Sequence, residues 1–108
     1  MKKSRALEAL AALAHDTRLD IVRRLVPLGP QGMSAGEIGR HAKIPASRLS
    51  FHLSALENAG LIVSRRESRN VIYRVEHKSL GGLMEYLMND CCGADPLICA
   101  CMKPHMKT

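Results

Sequence analysis

At 108 residues the chain fits a single domain whose high surface-to-volume ratio limits its core, so association with a second copy would add burial. A hydrophobic share of 46% with only 3% aromatic residues, supplied mostly by Leu, Ile and Ala, favours packed helices over an aromatic-rich sheet. The net charge of +6 suits a nucleic-acid partner but serves solubility or an acidic protein surface equally well, and no apolar run approaches the roughly 20 residues that span a bilayer.

Met1-Lys2-Lys3 imitates the basic start of a secretion signal, but Glu8, His15, Asp16 and Arg18 interrupt the stretch where its apolar core would lie. The expected location is cytoplasmic, with no membrane partner. A first helix is predicted from about Ser4 to Ala14, with Leu7, Leu10, Ala11 and Leu13 on its apolar face. A second is predicted over Asp16 to Val26, where Asp16 can satisfy free amides and favour the helix dipole. Pro27, Gly29, Pro30 and Gly32 then break the chain.

Ser34-Ala-Gly-Glu37 has the spacing of a capping box, flanked by Met33 and Ile38 as a hydrophobic staple, and opens a short helix ending near Ala42. Ile44-Pro45 turns the chain into another helix, whose first-turn proline loses no required amide bond. Leu49, Leu53 and Leu56 face the core there and leave Ser47, Arg48, Ser50, Phe51 and His52 on more exposed faces. Gly60 ends it. Leu61 to Arg66 and Val71 to Glu76 read as two strands joined by the polar turn Glu67-Ser68-Arg69-Asn70. Two short helices in tandem followed by a basic hairpin predict a mainly α fold with a β-hairpin, a winged helix-turn-helix, in preference to a plain helical bundle.

The DNA contacts that such a module offers divide by chemistry. Arg48 can form paired hydrogen bonds with guanine, and Ser47 and Ser50 can meet a base edge or a phosphate. His52 can bond a phosphate or serve the structure. Arg65, Arg66 and Arg69 on the hairpin can neutralise phosphates, or form only a solvated basic face. Phe51 is too isolated for a stacking platform and instead completes packing or touches a thymine methyl.

All four cysteines lie at the end of the chain, at Cys91, Cys92, Cys99 and Cys101. A Cys91–Cys92 disulfide is disfavoured because adjacent Cα atoms sit only about 3.8 Å apart, and a reducing compartment keeps thiols free as ligands. Soft thiolates select Cu(I), Cd(II), Zn(II) and trivalent arsenic or antimony over hard cations. Three sulfurs suit As(III), four suit tetrahedral Cd(II) or Zn(II), and two suit methylarsenite; spacing alone leaves these open. Sb(III) shares the arsenic chemistry. His41, His77 and His105 leave a nitrogen-containing site open, although each reads more simply as structural or exposed. No phosphate-binding loop, dinucleotide fingerprint or zinc-hydrolase motif is present, so no enzymatic activity is expected. A thiol redox or metal-carrying protein remains the reading from a different class.

Leu13-Ala-His-Asp-Thr-Arg-Leu-Asp-Ile-Val22 and Leu49-Ser-Phe-His-Leu-Ser-Ala-Leu-Glu-Asn-Ala-Gly-Leu-Ile62 resemble the ArsR/SmtB family of metal-responsive repressors, and Arg65 to Arg74 resembles its DNA-binding wing. The resemblance covers roughly residues 5 to 88 and implies a homodimer built on the first and last helices, with a recognition helix near Pro45–Asn58. It also implies repression of double-stranded operator DNA and release by inducer. The family's Cys-x-Cys in the recognition-helix region is absent. Asp90-Cys91-Cys92-Gly93 with Pro96 and Cys99 instead resembles arsenic-responsive repressors with a C-terminal site, which implies Cys91, Cys92 and Cys99 as As(III) ligands and leaves Cys101 as an additional ligand or spare thiol. The expected organisation is a winged helix-turn-helix and dimerisation domain over 1–90 and a cysteine-rich sensing tail over 91–108.

Overall fold

The computed structural model describes residues 1–91 and 97, with side chains through 88 and at 97. Five α-helices and a small sheet follow one another: α1 Lys3–Leu13, α2 Asp16–Leu25, a 3-10 segment Val26–Gln31, β1 Met33–Ser34, α3 Ala35–Ala42, α4 Ala46–Asn58, β2 Ile62–Glu67, β3 Asn70–Val75 and α5 His77–Glu85. A π-helical turn, Tyr86–Cys91, continues from α5. The expectations for Cys92, Cys99, Cys101 and His105 lie outside the described residues, as does any contact of the Cys91 side chain.

The antiparallel hairpin pairs Ile62 with Val75 at its base and Glu67 with Asn70 at its tip, leaving Ser68-Arg69 as the two-residue turn. The predicted four-residue turn is therefore shorter, because its outer residues extend the ladder. Ser68 takes the left-handed conformation, φ 59°, that so tight a reversal demands. A third strand, absent from the sequence reading, joins the other edge: Met33 pairs with Tyr73 and Ser34 with Ile72, giving the order β1-β3-β2. This pairing ties the start of α3 directly to the wing.

Ser34 also caps α3, accepting from the Glu37 amide at 3.2 Å while its hydroxyl donates to Glu37 Oε1 at 3.2 Å. The Glu37 carboxylate thus bonds the serine hydroxyl in place of the reciprocal amide bond of a full capping box. Lys43, left-handed at φ 57°, turns the chain after α3, and Pro45 stands as the N-cap of α4, one position before the predicted first turn. A tight turn between α3 and α4 results.

The core gathers Leu25, Ile38, Leu56, Leu61, Ile62, Val75 and Leu83, all fully buried, with Leu49 and Leu53 from the same face of α4. Each buried aliphatic side chain contributes on the order of 1.5–3 kcal/mol. The predicted apolar face of α1 is corrected. Ala6, Ala9 and Ala12 pack inward, whereas Leu7 is 56% exposed, Leu10 is 39% exposed and Ala11 is also exposed; of the four predicted residues Leu13 alone packs against the core. The alanine stripe is the side that permits close helix approach, which leaves two leucines pointing away from the protein.

Candidate nucleic-acid interface

Because Leu49, His52, Leu53 and Leu56 turn inward on α4, Ser47, Arg48, Ser50, Phe51 and Ser54 fall on its outward face. The residues expected to meet DNA are therefore displayed, except for His52. The expectation that His52 is exposed is corrected: only 5% of it is accessible. Arg18 Nε donates to its Nδ1 at 3.1 Å, and its ring lies between His15, at 4.5 Å between centroids, and Phe51, at 5.6 Å. These contacts account for His52 structurally. They join the first turn of α2 to α4 across 34 residues of sequence, and Arg18 is the residue that sequence reasoning missed as His52's partner.

His15 is the N-cap of α2, its Nδ1 accepting from the Thr17 amide at 3.2 Å, so the capping bond expected from Asp16 comes from its predecessor. Asp16 remains in the first turn, where its charge favours the helix dipole.

Burial holds the His52 pKa below its ordinary value of about 6.5, and the neighbouring positive charges of His15, Arg18 and Arg48 lower it further. The neutral imidazole accepts from Arg18 at Nδ1; protonation removes that acceptor. Since the unfolded chain takes up the proton first, stability is fully present above the unfolded pKa and is lost as pH falls through it toward the folded value. Urea unfolding at a series of pH values should show a fall in stability below about pH 6.5 in wild type and a smaller fall in His52→Asn. Equal pH slopes in the two proteins would contradict this role.

The three wing arginines differ. Arg65 spends its guanidinium on the protein, donating to the carbonyls of Pro30 and Gln31 at 3.0 Å each and to Glu67 Oε2 at 3.1 Å. It clasps the wing to the 3-10 segment. Arg66 and Arg69 are exposed and make no hydrogen bond or ion pair among the described residues. Ser64 donates to Glu57 Oε2 at 2.8 Å, linking the end of α4 to the wing. An outward polar helix face and a basic hairpin are thus tied together through Glu57 and Ser64, with Arg65 bracing the hairpin. Among the described residues no three His, Cys, Asp or Glu side chains are placed to share a metal ion, and no helix is long and apolar enough to cross a membrane.

A helix-turn-helix domain family matches residues 13–65, the stretch from the end of α1 into β2. The transcriptional regulator YgaV of Escherichia coli is 33% identical over 87 residues, covering 81% of this chain and 86% of YgaV. Among solved structures, an ArsR-like transcriptional regulator from Rhodococcus superposes with a TM-score of 0.72 at 23% identity, over 97% of this chain and 96% of its own, a likeness of fold. HlyU of Vibrio cholerae, a transcriptional activator, gives 0.67 at 30% identity, over 85% of this chain and 99% of its own. The homodimeric winged helix-turn-helix DNA-binding domain Mb0332 of Mycobacterium bovis gives 0.65 at 25% identity, over 82% and 79%. The chain belongs to the helix-turn-helix transcriptional regulators, and its winged fold is that of ArsR-like regulators.

Proposed function

We propose that the protein is an arsenite-responsive repressor that binds double-stranded operator DNA as a homodimer and releases it when trivalent arsenic binds Cys91, Cys92 and Cys99. The outward face of α4 carries the DNA half of this reading: Arg48, Ser47 and Ser50 stand opposite the buried leucines, where a major groove meets them first. Arg48 takes the base-reading role. Arg66 and Arg69 supply phosphate contacts, while Arg65 first holds the wing in place. A transcriptional regulator has no need of an active site, and the regulator relatives favour this class over a redox or metal-carrying protein.

Leu7 and Leu10 on α1 and Met84 on α5 are large apolar side chains left in solvent, and Met1, two residues before α1, reaches α5, where a Cβ added at Gly82 would meet Met1 Cε at 3.5 Å. A second copy is the partner that covers this surface, as homodimer formation in Mb0332 supports. In sequence the cysteines follow α5, so a ligand that binds them is proposed to act on the dimer through that helix. Operator release then requires that the ligand bind the DNA-incompetent arrangement more tightly. Three thiols condense with arsenite by displacing its oxygens as water, without change of oxidation state. The fourth thiol, Cys101, favours a second reading in which Cd(II) or Zn(II) takes all four sulfurs; Sb(III) and methylarsenite follow the arsenic chemistry with three and two.

The DNA assignment is tested by titrating specific and random duplexes at several salt concentrations. Arg48→Ala should lose about 5- to 150-fold on the specific duplex and much less on random DNA. Arg66→Ala and Arg69→Ala should weaken both and reduce the salt slope by about 1 for each phosphate no longer neutralised. Equal losses of Arg48→Ala on both duplexes would remove it from base reading.

A further inference from the structure

Phe51 is the single phenylalanine of the chain and the one large apolar side chain of α4 left in solvent, at 65% exposure. It follows Ser47 by four positions and Arg48 by three, so it shares their outward face. The ring is held. Arg18 sets its guanidinium over the ring, Cζ lying 5.4 Å from the centroid, within cation–π range. Arg18 is itself fixed through Nε to buried His52, whose ring meets Phe51 edge-on. Its terminal nitrogens make no hydrogen bond or ion pair among the described residues.

A phenyl ring that helps no core, braced by a buried imidazole and a tethered cation, is a preorganised apolar contact. On the major-groove edges of the bases, one group has matching chemistry: the 5-methyl of thymine. The cation beside it faces the other component of the duplex, the phosphate chain. We propose that Phe51 reads a thymine methyl in the operator and that Arg18, from α2, orients the ring and holds a neighbouring phosphate. This rests on the DNA-binding reading above and adds to it a specificity-determining residue and a contact from α2, outside the α3–α4 helix pair and the wing.

The test uses the full chain and a duplex selected from a random library by the wild-type protein. Each thymine is replaced in turn by deoxyuridine, which deletes only the methyl. Burial of one methyl corresponds to about fourfold in affinity, so wild type should lose about fourfold at one thymine of each half-site. Phe51→Ala should bind the thymine and deoxyuridine duplexes equally, with only a small drop in melting temperature, because the ring is outside the core and its removal gives up the edge contact with His52 and the Arg18 cation. Arg18→Met, which keeps the stem, should lower the salt slope by about 1 per protomer. Discrimination by Phe51→Ala equal to wild type, or no thymine sensitive to methyl loss, overturns the Phe51 assignment. An Arg18→Met protein that melts earlier with an unchanged salt slope overturns the phosphate contact. Failure of the wild type to select any duplex fells the DNA-binding reading itself, a result distinct from these.

Discussion

Serine at Cys91, Cys92 or Cys99 is expected to leave operator affinity unchanged and to abolish its loss on addition of arsenite. The cause is chemical: a hydroxyl does not replace a thiolate on a soft ion, and a pyramidal three-sulfur site deprived of one donor loses its closure. The DNA-facing residues on α4 and the wing are untouched, so the apo protein keeps its grip. Wild type should weaken by about 5- to 150-fold with arsenite, the usual span of an allosteric coupling, and each of the three variants by almost none. Cys101→Ser should retain most of the response. The measurement is a parallel operator titration with arsenic-to-protein stoichiometry for all four variants under reducing conditions. A requirement for all four thiols would move the reading to a tetrahedral Cd(II) or Zn(II) site, and an indispensable Cys101 with a dispensable Cys99 would overturn the ligand set.

Gly32→Ala is expected to cause the largest loss of stability of any single methyl addition in the DNA-binding unit. Gly29 and Gly32 both have positive φ, at 60° and 67°, with ψ of −146° and −160°, a region that only glycine adopts without strain. At Gly29 the added Cβ meets open space, whereas at Gly32 it collides with the Tyr73 carbonyl in β3. Gly29→Ala should therefore cost about 1–3 kcal/mol from backbone strain alone. Gly32→Ala should cost roughly 1–3 kcal/mol more, because the β1–β3 pairing that joins α3 to the wing must open. Urea midpoints of the two variants separate the effects. Equal midpoints would mean that the β1–β3 pairing gives way at no cost.

The tandem helices and the hairpin were legible because their signals are local: Leu49, Leu53 and Leu56 at helical spacing, the Ser34–Glu37 cap, and alternation along Val71 to Val75. Long-range partners decide the features that were not legible. Met33–Ser34 is too short to carry a strand pattern and becomes one only beside Tyr73 and Ile72. His52 looks like a surface residue until Arg18 arrives from 34 positions away to satisfy its nitrogen. Arg65 reads as one more wing cation, yet two carbonyls of the 3-10 segment claim it. On α1, leucines outrank alanines in any hydrophobic count, but the helix approaches its neighbours through Ala6, Ala9 and Ala12. The same inversion supplies the exposed leucines on which the dimer proposal stands.

Whether a surface made of α4 and the wing grips operator DNA, and whether arsenic loosens that grip, can be measured together. The most direct measurement is fluorescence anisotropy of a labelled duplex from upstream of the protein's own coding sequence, titrated with reduced wild-type protein without and with trivalent arsenic. The predicted result is salt-sensitive, sequence-specific binding that weakens when arsenic is present. Arsenic bound to the protein with no change in operator affinity would contradict it.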